Sequence, residues 1–147
     1  MSAMAKVAAR VSREMSASPE AVLAFLRDYR ESRPRILTDS YSGYRVEEGG
    51  EGDGTVIAFH FAAGGRERDY RLRVQESAGA LDERDELSSF VNRWAVTAAP
   101  SGSNVTLEAS WEGAGGIGGF FERTFAPLGL RRIYGEVLDR LADALES

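Results

Sequence analysis

The 147-residue chain contains no cysteine, so neither a disulfide framework nor thiolate chemistry is available to it. It has a single histidine, His60, which excludes metal ligation by imidazole clusters and any histidine dyad. No apolar run is long enough to cross a bilayer, and the opening MSAMAKVAARVSREMSAS has no continuous hydrophobic stretch. Neither an integral membrane segment nor a signal peptide is therefore expected, and a cytoplasmic protein follows by default. An excess of positive charge is also missing: the net charge is -5 and the pI about 5.0, which argues against nucleic acid as a partner. Lysine is nearly absent, with Lys6 alone among 18 basic residues. The scattered arginines read as the usage of a GC-rich bacterial genome and not as phosphate recognition. No metal and no covalent cofactor is expected.

What is present is enough chain for one domain, residues 1–147, with a full core. Residues 5–15 alternate with Val7, Ala9, Val11 and Arg13 on one face, an opening strand. Ser18 and Pro19 then provide a cap and a first helical residue for a short helix to about Tyr29, with a second helical turn from Ser32 to Leu37 limited by Pro34. Strands follow at Tyr44–Glu48, Thr55–Ala62, Arg68–Gln75, Ala80–Leu87, Phe90–Ala98 and Asn104–Glu112. Gly64-Gly65 marks a two-residue hairpin in which Phe59 faces Tyr70 and Ile57 faces Leu72. Leu130, Ile133, Tyr134, Val137, Leu138, Leu141 and Leu145 recur at helical spacing in a final helix from about Gly118 to Leu145. The order is that of an α+β protein whose antiparallel sheet wraps around its C-terminal helix.

The segments SASPEAVLAFLRDYRESRP, GGEGDGTVIAFHF, NRWAVTAAPSGSNVTLEASW and GGFFERTFAPLGLRRIY, in this order, make the chain resemble the START-related, Bet v 1-like superfamily (SRPBCC). The similarity is to its polyketide cyclase/dehydrase and lipid transport branch, and it covers nearly the whole chain. It implies a helix-grip fold with a cavity between sheet and last helix that binds a lipid, a polyketide or another apolar small molecule. Some relatives cyclise or dehydrate their ligand, and some act as protein-binding adaptors. No family-wide catalytic set carries over. Monomer and homodimer are both compatible with the resemblance.

The expected ligand-facing residues are Phe59, Tyr70 and Leu72 on the central hairpin, with Phe90, Asn92, Trp94 and Trp111 on the later strands. Phe121 and Phe125 join them from a mobile aromatic lid that follows the glycines of 113–119 and precedes Pro127, which bends or interrupts the helix. Phe120, one residue out of phase, is expected at the rim. Gly113-Ala114-Gly115-Gly116-Ile117-Gly118 matches G-x-G-x-x-G, but no parallel strand follows it, so it reads as a hinge and not a nucleotide site.

Three residues are candidates for acid-base work. His60 falls on the face opposite Phe59 and Phe61 and so reads as a rim or solvent histidine before a general base. Glu83 and Asp85 lie in the acidic strand Leu81–Leu87 and share a face with its two leucines. The favoured reading is a solvated edge strand protected by its charge. The alternative points the leucines inward and brings both carboxylates into the cavity near Arg66 or Arg68.

Overall fold

The computed structural model describes residues 6–112 and 116–146, and side chains throughout these ranges except at 66 and 116–126. Strand β1 (Lys6–Met15) leads into helix α1 (Pro19–Leu26), whose N-terminus is capped by Ser18 accepting a hydrogen bond from the Ala21 amide at 3.2 Å. A 3-10 turn at Arg33–Ile36 precedes six strands: β2 (Tyr41–Glu48), β3 (Val56–Ala63), β4 (Arg66–Ser77), β5 (Ala80–Asp85), β6 (Val91–Ala99) and β7 (Gly102–Glu112). Helix α2 (Gly116–Glu146) ends the chain.

All seven strands form one antiparallel sheet in the order β1-β7-β6-β5-β4-β3-β2. Each strand after β2 pairs with its predecessor, and β1 joins β7 across the full length of the chain. The β3-β4 hairpin has the register that its turn dictates, Phe59 opposite Tyr70 and Ile57 opposite Leu72. Gly64 and Gly65 take φ of +58° and +78°. Positive φ at both central positions matches the right-handed twist of the flanking strands and is open to glycine at little cost.

Alternation along the strands gives the sheet a wet face and a dry one. On β7, Val105, Leu107 and Ala109 are buried, as are Trp94 and Val96 on β6. The dry face meets Tyr134, Val137, Leu138 and Leu141 of α2, together with Val22 and Leu26 of α1, in one core. The helix thus presents the stripe read from its spacing of three and four.

Three expectations change. Pro127 neither ends nor interrupts α2, which runs from Gly116 to Glu146 through it. The strand containing Glu83 is not an edge, because β5 pairs with β4 on one side and β6 on the other. It also stops at Asp85, so Leu87 leaves the sheet and is 67% exposed. The glycine hinge at 113–115 lies outside the described residues, as do the side chains of Phe120, Phe121 and Phe125 on which the lid rests. Among the described residues no helix is long and apolar enough to cross a membrane.

Candidate functional site: a cavity between sheet and helix

Between the dry face of the sheet and α2 lies a cavity of about 640 Å³. One wall is a chain of aromatic rings drawn from β2, β3, β4 and β7 and from Phe90, which precedes β6. Phe59 stacks on Tyr70 with centroids 5.5 Å apart, Tyr70 meets Phe90 at 4.8 Å, and Phe90 lies over Trp111 at 6.3 Å. Tyr41 and Phe61 extend this wall from β2 and β3. The pairing register explains the part of the wall on β2, β3 and β4, where Tyr41 is opposite Phe61 and Phe59 opposite Tyr70, and such pairs on one sheet face fall within ring-contact distance. Leucines 72 and 107 fill the floor, and α2 closes the other side with Leu130, Ile133, Tyr134 and Val137.

One end of the cavity is polar. Glu83, 1% exposed, points inward from β5, and each of its carboxylate oxygens accepts two hydrogen bonds. Oε2 takes the Tyr29 hydroxyl at 2.6 Å and Arg33 Nη1 at 2.8 Å. Oε1 takes Asn92 Nδ2 at 2.8 Å and Arg33 Nη2 at 3.3 Å. The Tyr134 hydroxyl of α2 donates to Asn92 Oδ1 at 2.7 Å, which ties the helix to the cluster. Arg33 also donates to the Leu26 carbonyl at 3.1 Å, and its guanidinium lies 4.6 Å from the Tyr29 ring centroid and 4.9 Å from that of Trp94. The 3-10 turn that delivers Arg33 is fixed by Asp28, which accepts from the Ser32 hydroxyl at 3.0 Å and whose carbonyl accepts the Arg33 amide at 3.0 Å.

Burial works against the charge on Arg33, and Glu83 more than offsets it, holding the guanidinium above its ordinary value. Burial pushes the Tyr29 phenol well up, and the charge of Glu83 adds to the shift. The Tyr134 phenol is raised well above its usual value, mainly by burial. Both hydroxyls therefore remain protonated donors at neutral pH, the form that the hydrogen bonds require.

The residues expected from sequence are divided by this geometry. Phe59, Tyr70, Leu72, Phe90, Asn92, Trp94 and Trp111 all line the cavity, and so does Glu83. Asp85 is buried but does not line it. Its carboxylate accepts from Arg68 Nη2 at 2.8 Å, the Arg71 amide at 3.1 Å and the Ser88 hydroxyl at 2.6 Å, closing the β5-β6 connection. His60 is also outside the cavity wall. It stands opposite Asp69 on the wet face with Nδ1 2.8 Å from the carboxylate, and that hydrogen bond raises its pKa. Phe121 and Phe125 lie outside the described side chains.

Arg33, Tyr29 and Tyr134 are the members of the polar cluster that sequence reasoning missed. Of the two cations expected near the carboxylates, Arg68 serves Asp85 and the side chain of Arg66 lies outside the described ones, while Glu83 is met by Arg33 from the distant 3-10 turn.

A curved antiparallel sheet closed on a long C-terminal helix, with an apolar cavity between them, defines the helix-grip class to which Bet v 1-like proteins belong. Within that class, the chain belongs to the polyketide cyclase/dehydrase and lipid transport family, whose profile matches residues 6–146. It is similar to the KanY protein, known from an NMR solution structure, with 46% identity and a TM-score of 0.89 over 98% of this chain and 100% of that one. The fold is shared with TTHA0849 from Thermus thermophilus (18% identity, TM-score 0.77, covering 94% of this chain and 96% of that one). It is shared too with the ZhuI aromatase/cyclase from Streptomyces sp. R1128 (15% identity, TM-score 0.69, covering 97% and 93%). No curated protein matches the chain.

Proposed function

We propose that this protein binds and carries an apolar small molecule, lipid-like or polyketide-like, in the cavity between sheet and helix. The observation that carries the reading is the contrast within the cavity. Its aromatic wall encloses about 640 Å³, within the range of about 300 to 1,000 Å³ typical of small-molecule sites. Of the two carboxylates among its described lining residues, Glu67 is solvent-exposed beside His60, and Glu83, the buried one, is spent on the protein's own donors. A general acid or base must reach the reacting atom with a free lone pair or proton. Glu83 has its oxygens occupied by Tyr29, Arg33 and Asn92, while Asp85 and His60 stand outside the wall. That arrangement favours a carrier or sensor over a cyclase or dehydratase built on these residues. An adaptor for another protein needs no internal space, and the cavity weighs against that reading as well.

Native mass spectrometry of the protein purified from its own host tests the proposal. The expected spectrum contains a species with one bound small molecule that organic solvent extracts. A spectrum with only the bare chain, unchanged after incubation with long-chain and polycyclic compounds, would overturn it.

A further inference from the structure

The hydroxyls of the five tyrosines are not equally engaged. That of Tyr29 donates to Glu83 at 2.6 Å, that of Tyr44 to the Tyr29 carbonyl at 2.6 Å, and that of Tyr134 to Asn92 Oδ1 at 2.7 Å. Tyr70 has the Arg68 guanidinium 4.6 Å from its ring centroid, and burial pushes its phenol up while that charge opposes the shift. The hydroxyl of Tyr41 has no hydrogen-bond partner among the described residues.

This hydroxyl is not sealed off. The buried side-chain atoms that lack a partner are Arg27 Nε, Arg33 Nε and Trp94 Nε1, whereas Tyr41 is only partly buried and lines the cavity. Burial nonetheless dominates its surroundings and pushes the phenol up, with Arg33 opposing and Glu83 and Tyr70 adding. A side chain that lies deep in the protein and still keeps open surface turns that surface to an internal space. The ring is gripped by Phe59 and Phe61, with centroids 5.3 and 4.9 Å away, so the direction of the hydroxyl is set before a ligand arrives.

Water in a ligand-free cavity satisfies such a group. A hydrocarbon that expels this water leaves the hydroxyl unpaired in an apolar space, which costs binding energy, whereas a ligand oxygen at the same point takes the place of the water. A phenol both donates and accepts, so a carbonyl or a hydroxyl serves.

Resting on the carrier reading above, we infer that Tyr41 determines specificity: its hydroxyl hydrogen-bonds a carbonyl or hydroxyl oxygen of the ligand. The cavity then prefers an oxygenated ring compound to the bare hydrocarbon of the same shape.

The test uses fluorene, 9-fluorenone and 2-hydroxyfluorene, three probes on one ring frame that differ in their oxygen. Affinities are measured by displacement of N-phenyl-1-naphthylamine from the full-length wild type and from Tyr41→Phe, which deletes one oxygen and keeps the ring. The affinity ratio to fluorene of at least one oxygenated probe is expected to fall about three- to tenfold in the variant, the size of one hydrogen bond. Because the hydroxyl has no partner inside the protein, the urea midpoint of Tyr41→Phe should equal or exceed that of the wild type. In the wild type, where folding of a variant plays no part, nuclear Overhauser effects should join an oxygenated probe to the ε ring protons of Tyr41. Both ratios unchanged by Tyr41→Phe, a lowered midpoint in that variant or the absence of those cross-peaks overturns the inference alone. Failure of all three probes to bind the wild type overturns the carrier reading and this inference together.

Discussion

Replacing Glu83 with alanine is expected to cost about 3 to 5 kcal/mol of folding stability, because it leaves the charge of Arg33 buried and unpaired. The hydroxyl of Tyr29 and the amide of Asn92 lose their acceptor at the same time. Urea unfolding of Glu83→Ala reads the loss as a lowered midpoint at constant slope. The double change Glu83→Leu with Arg33→Met removes both charges, and replacing such a pair by apolar residues is often neutral. It should therefore recover most of the loss, although Tyr29 and Asn92 still lack a partner. A loss below about 1 kcal/mol in Glu83→Ala, the range of exposed ion pairs, would show that the carboxylate is not held as described.

The second large effect is on binding. Ile133 is half-buried on the helix side of the cavity, and Ile133→Trp fills space that a ligand would otherwise take. N-phenyl-1-naphthylamine should bind this variant at least about tenfold more weakly than wild type, equivalent to about 1.4 kcal/mol. Stability separates an open cavity from a packed core. Adding a ring to a filled core costs about 1 to 3 kcal/mol, whereas adding it to an open cavity leaves the unfolding midpoint unchanged or raised. A destabilised Ile133→Trp that still binds the probe would place the binding site elsewhere.

Local rules carried much of the fold. The Gly64-Gly65 turn and the alternation of Phe59 and Tyr70 agree on one register, so the hairpin is written in a dozen contiguous residues. The same holds for the stripe Tyr134, Val137, Leu138 and Leu141, whose spacing alone implies burial against a partner. The acidic strand is different. Alternation places Glu83 beside Leu81 on one face, but only the pairing of Glu83 with Asn92 across β5 and β6 decides that this face is the interior. Until that long-range pairing is known, a run of charges reads more naturally as a solvated edge. Arg33 was illegible for a related reason. It sits in a four-residue turn with no periodicity, and the residue that neutralises it is fifty positions away. The open cavity was also invisible to pattern, because alternation tells which side chains face inward and not whether they meet in the middle.

The central claim is that an apolar ligand occupies the space between the aromatic wall and α2. Intermolecular nuclear Overhauser effects between N-phenyl-1-naphthylamine and the isotope-labelled protein test it most directly. The account predicts cross-peaks from the probe to the ring protons of Phe59, Tyr70 and Phe90 and to the methyl groups of Ile133 and Val137. Cross-peaks confined to the wet face of the sheet, around Arg10, Arg93 and Thr106, would contradict it.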